Sequence, residues 1–252
     1  MLTEAQFERY ARHLILEEIG EEGQARLMAS RVLVVGAGGL GSPLLLYLAA
    51  AGVGTLGVVD DDTVDLSNLQ RQVVHPTQRI GALKVESARE TLAAVNPEIV
   101  VETHALRLDA SNAAALVARY DLVADGSDNF ATRYLLNDVC FAARRTLVGA
   151  ALSPFDGQIS TFKAYLGPPH PCYRCLFREP PPPDLVPRCE TAGILGAVAG
   201  VVGTLQATEV LKELLGLGES LSGTLLLYDA LRTGFHKIAL PRDPDCPTCG
   251  AG

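Results

Sequence analysis

Short apolar runs alternate with helical patterns over the first 150 residues. Helical patterns at 84–95 and 131–143 lie between runs that are rich in apolar and β-branched residues. Such alternation predicts right-handed crossovers and a mainly parallel sheet covered by helices on both faces. We therefore expect a Rossmann-like, doubly wound α/β fold, in which ligands bind beyond the carboxyl ends of the strands. The predicted strands are 32–35, 57–60, 99–103, 122–125 and 147–150.

The pattern changes after Ala151. Two further runs, 157–165 and 225–228, predict additional strands, which we expect to form an added antiparallel portion of the sheet. The stretch 180–187 contains repeated prolines, which exclude regular helix and central strand, so we predict a crossover loop there. The most apolar run, 192–205, is too short to span a bilayer and predicts a buried core helix.

The acidic charge balance argues against a nucleic-acid partner. The chain of 252 residues has a formal net charge of -8, whereas surfaces that bind a phosphate backbone concentrate Lys and Arg. The N-terminal residues lack the charged start and apolar run of a secretion signal, and residues 3–6 (TEAQ) instead predict a helix capping box. We expect a cytoplasmic protein with neither a nucleic-acid nor a membrane partner.

The stretch VLVVGAGGLGS predicts a nucleotide-binding turn. Gly36, Gly38 and Gly41 match the G-x-G-x-x-G pattern between a strand and a helix, and Asp60 ends the next predicted strand. The glycines allow a tight turn and a close approach to phosphate, the helix N-terminus favours an anion, and Asp60 can accept hydrogen bonds from ribose hydroxyls. The pattern leaves open whether the nucleotide is a nicotinamide dinucleotide or ATP.

Polar and cationic side chains after the second predicted strand favour a triphosphate. Asn68, Arg71 and Lys84 follow one another closely, and attack on ATP requires cations around its phosphates, although each residue alone is compatible with ordinary surface charge. In the DGSDN run, Asp128 is a candidate ligand for Mg²⁺ bridging phosphates. The alternative is that Asp128 or Ser127 caps the helix that follows.

The cysteines divide into two pairs and two single residues. Two C-x-x-C pairs in an intracellular chain predict a structural Zn²⁺ site of four thiolates, with disulfides as the alternative. Cys140 lies within a helical pattern and is expected to be a small buried residue. Cys189 follows the proline-rich stretch and precedes a helix predicted near Thr191, whose dipole would favour a thiolate. The predicted zinc ligands are Cys172, Cys175, Cys246 and Cys249.

A set of short motifs in a fixed order resembles the sulfur-carrier adenylyltransferases of the MoeB/ThiF family, which are related to the ubiquitin-activating enzymes. The resemblance covers essentially the whole chain, and the set is specific although each motif alone is weak. The motifs are RYARHLIL, GAGGLGSP, AAGVGTLGVVDDDTVDLSNLQRQ, GALKVESA, DGSDNFATRYLLND, GQIS, CYRC, RCETAGILG, GTLQATEVLK and CPTC.

The resemblance implies that the turn holds ATP and that the enzyme is a homodimer. Asp60 would bind the ribose, Asp128 would bind Mg²⁺, and Arg12 would reach into the partner subunit's site. Cys189 resembles a crossover-loop cysteine that can link to the carrier or receive sulfur in some family members. The residues implied to be catalytic are Arg12, Arg71, Lys84, Asp128 and Cys189. Those implied to bind the nucleotide are Gly36, Gly38, Gly39, Gly41, Asp60, Asn68, Arg71, Lys84, Asp128 and Asn129.

The implied reaction is ATP-dependent adenylation of the C-terminal glycine carboxylate of a small ubiquitin-like, MoaD/ThiS-like sulfur carrier that ends in Gly-Gly. The acyl-adenylate would lead to a thiocarboxylate for molybdopterin, thiamine or thiolated-tRNA synthesis. Because three residues follow Cys249, we expect a separate sulfur donor, either a sulfurtransferase or a cysteine desulfurase. We expect one domain over 1–252, with a helical arm at 1–30, a nucleotide-binding core at 31–151 and a carrier-binding, zinc-bearing part at 152–252.

Three other functions remain open from the residues. The glycine turn and Asp60 are compatible with an NAD-binding oxidoreductase, which stoichiometric NAD binding would reveal. A non-catalytic module that docks ubiquitin-like proteins would be expected to lose Arg71, Lys84 and Asp128, which this chain keeps. An enzyme that modifies tRNA directly is disfavoured by the acidic charge balance and by both C-x-x-C pairs.

Overall fold

The strands of the protein form a single mixed sheet. The computed structural model describes residues 2–181 and 193–250, and all statements on structure refer to these residues. Eight strands pair in the order β3-β2-β1-β4-β5-β6-β7-β8. They are β1 Arg31–Val35, β2 Thr55–Val59, β3 Val100–His104, β4 Leu122–Asp125, β5 Thr146–Leu152, β6 Asp156–Phe162, β7 Thr224–Asp229 and β8 Gly234–Ala239.

The first five strands are parallel and the last three pairings are antiparallel. β1 pairs with both β2 and β4, and β3 and β5 complete the parallel part at its two sides. β6, β7 and β8 then extend the sheet from β5 in antiparallel pairings. The predicted doubly wound fold with an added antiparallel portion is confirmed.

Helices cover both faces of the sheet. Along β1, Val32 and Val34 pack in a core with α3, α4 and α8, whereas Leu33 and Val35 pack in a second core with α5 and α6. This alternation follows from the period of two in a strand. The helices are α1 Glu4–Leu14, α2 Gly20–Ala29, α3 Gly41–Ala50, α4 Lys84–Val95, α5 Ala113–Val117, α6 Phe130–Ala142, α7 Tyr173–Leu176 and α8 Gly196–Leu215.

Most predicted elements have the expected type, with shifted ends. The capping box at Thr3 is present. The apolar run predicted as a core helix forms part of α8. In this helix Gly203 lies so close to the Leu40 carbonyl that a Cβ would not fit. The strand predicted over 157–165 ends at Phe162, because a 3₁₀ turn follows over Ala164–Leu166. The edge strand β8 was not predicted. No helix among the described residues is both long and apolar enough to cross a membrane.

Candidate nucleotide-binding and metal sites

The glycine-rich turn joins β1 to α3 at the point where the order of the parallel strands reverses. Such a switch point opens a crevice for ligands beyond the ends of the strands. Gly36 has a φ of 95°, and a Cβ there would lie 2.8 Å from the carbonyl oxygen of Gly126, in the loop after β4. A Cβ on Gly41 would overlap the carbonyl oxygen of Gly36. The two loops therefore meet at a distance that only glycine allows.

Two side chains hold the peptide groups on either side of Ala37 in this turn. The Asp60 carboxylate accepts a hydrogen bond from the Ala37 N–H at 2.8 Å, and His75 Nε2 donates to the Ala37 carbonyl at 2.8 Å. His75 Nδ1 lies 2.9 Å from the Ser87 hydroxyl, from which it can accept. Burial lowers the pKa of His75, which favours this neutral ring. The turn is thus held in shape by protein groups alone.

Arg71 and Lys84 both line the cleft, and each has an oxygen partner. The Arg71 guanidinium donates to the Asn68 side-chain oxygen at 2.7 Å, so Asn68 orients the arginine and does not itself line the cleft. Lys84 begins α4, and its ammonium group lies 2.8 Å from the Asp62 carboxylate. The side chain of Lys84 is 7% exposed and that of Asp62 is 68% exposed. The buried ammonium group is therefore paired with a carboxylate that is exposed to solvent in the cleft.

One cleft of about 840 Å³ joins the turn, the two cations and the loop after β4. Its volume falls in the range of small-molecule sites. The lining continues over the ends of β5, β6 and β7, with Gln158, Tyr228 and Asp229 among its residues. Of the residues predicted from the sequence, those that line the cleft are Gly36, Gly38, Gly39, Asp60, Arg71, Lys84, Asp128 and Asn129.

Gln72 also lines the cleft, although sequence reasoning missed it. It is 4% exposed, and its side-chain carbonyl oxygen has no hydrogen-bond partner within the described part of the chain. A buried unpaired acceptor is costly unless a ligand or water satisfies it. Its place directly after Arg71 in the SNLQRQ motif is the sequence signal that could have identified it.

The loop after β4 presents Asp128 at the cleft. Asp128 is exposed, and on its amino side the Ser127 N–H donates to the Asp125 carboxylate at 2.8 Å. On its carboxyl side, the Asn129 side chain accepts from the Thr132 N–H at 2.9 Å and caps α6. The alternative in which Asp128 or Ser127 caps the helix is therefore wrong. The Asp128 carboxylate is left facing solvent in the cleft.

Asp125, which is buried, and the half-buried Arg133 lie next to this loop. Burial raises the pKa of Asp125, while the neighbouring Arg133 opposes the shift. Arg133 donates to the Ser127 carbonyl at 3.0 Å. Sequence reasoning missed both residues, because their surroundings come from β5, β6 and α7 rather than from their own motif.

Arg12 does not line the cleft within the described chain, and Cys189 cannot be placed relative to it. Arg12 is exposed on α1, and α1 is anchored through Tyr10, whose hydroxyl accepts from Asn96 at 2.9 Å. Asn96 also donates to the Ala49 carbonyl at 2.9 Å, so the arm packs at the end of α3 that lies away from the glycine turn. Cys189 and the helix predicted near it, together with most of the predicted crossover loop, lie outside the described residues.

The four predicted zinc ligands come together in one cluster. Their sulfur atoms all lie within 4.8 Å of one another, with separations of 3.5 Å for Cys172 and Cys246 and 3.4 Å for Cys175 and Cys249. Four sulfurs around Zn²⁺ at about 2.3 Å would be about 3.8 Å apart. The set therefore fits a tetrahedral thiolate site. Burial raises the pKa of Cys249 to about 12, so metal binding would release protons.

Fold and cleft together define a nucleotide-binding protein of the doubly wound α/β class. Comparison of sequences gives the family. The model of the ThiF family matches residues 10–248, and the chain belongs to this family.

Several characterised proteins are similar over the whole chain. The SAMP-activating enzyme E1 of Haloferax volcanii is 53% identical over 251 residues, which cover 100% of this chain and 92% of that protein. The sulfur carrier protein adenylyltransferase of Thermus thermophilus is 50% identical over 250 residues, covering 98% of this chain and 92% of that protein. Adenylyltransferase and sulfurtransferase MOCS3 of Sus scrofa is 51% identical over 99% of this chain, which corresponds to 54% of that protein.

Solved structures show the same fold. The structure of E. coli MccB with ATP aligns with a TM-score of 0.82 at 23% identity, covering 96% of this chain and 73% of that chain. The structure of E. coli MccB with MccA-N7isoASN aligns equally well, with a TM-score of 0.82 over 97% of this chain and 74% of that chain at 22% identity.

Proposed function

We propose that the protein is an adenylyltransferase that uses ATP to activate the C-terminal glycine carboxylate of a small ubiquitin-like sulfur carrier. The products are the carrier acyl-adenylate and pyrophosphate. The observation that carries the proposal is the convergence of Arg71, Lys84 and Asp128 on the cleft of the glycine turn, in a chain about half identical to a sulfur carrier protein adenylyltransferase.

The arrangement suits a reaction driven by positioning and charge neutralisation. A terminal carboxyl group has an ordinary pKa near 3.5 and is ionised at neutral pH, so the nucleophile needs no general base. Its approach to ATP is opposed by charge repulsion, which Arg71 and Lys84 would reduce by pairing with the polyphosphate. Lys84 would then exchange the Asp62 carboxylate for a phosphate oxygen.

Asp60, Asp128 and Asn129 complete the proposed nucleotide site. One carboxylate oxygen of Asp60 accepts from the Ala37 N–H in the turn and the other accepts from the Asp62 N–H, and the second lone pair of each oxygen remains for ribose hydroxyls. Asp128 would hold Mg²⁺, which supplies Lewis-acid stabilisation of charge on the phosphates. Asn129 would act through its backbone and through the cap that orients the loop, because its side-chain oxygen is used by Thr132.

The remaining parts have separate proposed roles. The lining of the cleft on β6 and β7 would receive the carrier terminus, within one domain whose carrier-binding part spans residues 152–252. Cys172, Cys175, Cys246 and Cys249 would hold a structural Zn²⁺, and a separate protein would donate sulfur. Cys189 would act covalently in sulfur transfer, and loss of carrier thiocarboxylate in Cys189→Ala, with adenylation intact, is the expected result.

ATP-pyrophosphate exchange tests the function directly. We expect exchange with an intact carrier and none with a carrier that lacks its terminal glycine. Asp128→Asn should remove exchange, whereas Glu219→Gln, which neutralises another exposed carboxylate outside the cleft, should not. Absence of exchange with folded carriers, or binding of NAD in place of ATP, would overturn the proposal.

Mixing two inactive variants tests the proposed homodimer. If Arg12 serves the partner subunit's cleft, Arg12→Ala and Asp128→Asn homodimers should each be inactive. Mixed dimers of the two variants should regain activity, because one of their two clefts then has both residues intact. Mixtures that exchange subunits without regaining activity would exclude a shared site.

A further inference from the structure

A small cavity with a mostly apolar lining lies next to the loop that carries Asp128. The cavity of about 20 Å³ is lined by residues from β4, α6, β5, β6 and α7, including Asp125, Arg133 and Tyr173. Two polar atoms in this region, Arg133 Nε and the Tyr173 hydroxyl, are buried and have no hydrogen-bond partner among residues 2–181 and 193–250. Buried polar groups of this kind are uncommon in stable cores, so they call for a function.

Arg133 connects this cavity to the loop. Its guanidinium donates to the Ser127 carbonyl at 3.0 Å, and the same group packs over the Phe130 ring at 5.5 Å from the ring centre. The Ser127 carbonyl belongs to the peptide group whose nitrogen is that of Asp128. Because a peptide group is planar, fixing its oxygen also fixes the direction in which the chain enters Asp128.

Two further contacts hold the loop on either side of that peptide. The Asp125 carboxylate accepts from the Ser127 N–H at 2.8 Å, and the Asn129 side chain caps α6. Arg133 lies one turn into α6, so its contact with Ser127 ties the loop to the helix that follows. With these contacts in place, the exposed Asp128 side chain lines the cleft together with its neighbours in the loop.

We propose that Arg133 is a positioning residue that fixes the Ser127–Asp128 peptide and thereby aims the Asp128 carboxylate at the metal of the bound nucleotide. The inference rests on the proposed function, in which Asp128 holds Mg²⁺. Arg133 also lines the nucleotide cleft, so direct binding of phosphate by its guanidinium is the alternative that an experiment must exclude.

Titration with metal separates the two roles. In Arg133→Lys, which keeps the positive charge but lacks the planar fork, the Mg²⁺ concentration for half-maximal exchange should rise about tenfold, the effect of losing one charge-assisted hydrogen bond. Saturating Mg²⁺ should restore most of the rate. Direct titration of the enzyme–ATP complex with Mn²⁺, followed by its electron paramagnetic resonance signal, should show the same weakening, while the affinity for metal-free ATP stays unchanged.

Arg145 provides a matched control. Its Nε is also buried without a partner in the described chain, and its guanidinium likewise donates to a backbone carbonyl, that of Ala118, at 3.4 Å. Arg145 lies outside both the cleft and the cavity. Arg145→Lys should therefore lower the melting temperature to a similar extent as Arg133→Lys, without changing the dependence on metal.

The outcomes are distinguishable. If metal-free ATP also binds more weakly to Arg133→Lys, the arginine contacts phosphate and the proposal is overturned. A rate that falls equally at all Mg²⁺ concentrations would also overturn it, since a purely structural defect behaves in this way. In the Asp128→Asn background the Mn²⁺ affinity should no longer depend on residue 133. If the wild-type enzyme shows no exchange at all, the proposed function fails instead.

Discussion

The nucleotide cleft and the cysteine cluster are built in different ways, although α6 connects them. The glycine turn is held by a parallel sheet and by hydrogen bonds from Asp60 and His75, all of which exist without a ligand. The cysteine cluster has a core consisting of little more than the cysteines themselves, with Ala164 and Phe141 packed against them. The cleft is therefore formed in advance, whereas the cluster would depend on the proposed metal.

Polar contacts alone would hold the cluster weakly. Asp138, on α6, accepts from Arg174 at 2.7 Å and from Thr248 at 3.0 Å, and Arg242 donates to the Ala164 and Cys249 carbonyls. The Asp138 side chain is 43% exposed, and exposed ion pairs contribute less than about 1 kcal/mol. A structural zinc site contributes about 10 kcal/mol or more. If the proposed zinc is bound, it would therefore dominate the stability of this region.

The largest expected effect is the loss of the metal. Cys246→Ser should lower the zinc content and expose amides in residues 163–181 and 240–250 to hydrogen exchange, because most of about 10 kcal/mol of metal binding is lost. Amides of β1 and of the glycine turn should stay protected. Cys140→Ala, which removes a buried thiol outside the cluster, should keep its zinc. Equal loss of protection in the cleft would show that the two regions are not independent.

A substitution in the turn should affect the cleft without the metal. In Gly41→Ala the new Cβ would collide with the Gly36 carbonyl, so the turn must shift, at a cost of about 1–3 kcal/mol in the free energy of unfolding. ATP binding should be lost or greatly weakened, with zinc content unchanged. Gly200→Ala is the control, since a Cβ there has open space within α8 and should stabilise the helix by about 0.5–1 kcal/mol. Denaturant unfolding and calorimetric ATP titration measure both effects.

The Lys84–Asp62 pair should show a smaller effect of opposite sign. Asp62→Asn removes an exposed anion that competes with phosphate for Lys84, so ATP should bind more tightly, by up to about 1 kcal/mol. The gain should shrink at high salt. Asp61→Asn removes a neighbouring exposed charge that also lines the cleft and should give less. Weaker ATP binding in Asp62→Asn would mean that the pair orients Lys84 rather than competes for it.

The sequence predicted residues whose roles are local. Gly36 and Gly41 are required by one turn between a strand and a helix, and the C-x-x-C pairs each supply two ligands from one short segment. The two pairs are far apart in the sequence. The contact between Cys172 and Cys246 could be predicted only because a structural zinc site needs four ligands. Local chemistry combined with valence was thus enough to predict both candidate sites.

Residues whose roles arise from tertiary contacts were missed. His75 reaches Ala37 across 38 positions, and Arg133 faces side chains of β5 and α7, so neither belongs to a local pattern. The edge strand β8 was missed because its exposed residues mix Phe, His and Lys. The alternative in which Asp128 or Ser127 caps α6 was wrong because Asn129 provides the cap, and all three residue types suit that position.

The smallest expected effect concerns the pH dependence of the turn. Burial lowers the pKa of His75 below its ordinary value near 6.5, and Lys84 adds to this shift while Asp60 opposes it. Below pH 6.5 the unfolded chain therefore binds a proton that the folded protein excludes. Stability should fall as the pH drops from 6.5 toward the lowered pKa of His75, with a slope of at most about 1.4 kcal/mol per pH unit from this residue.

Urea unfolding of His75→Gln should show a flatter slope over this window, and His236→Gln, at an exposed position, should keep the wild-type slope. An unchanged slope in His75→Gln would mean that folding does not lower the pKa of His75.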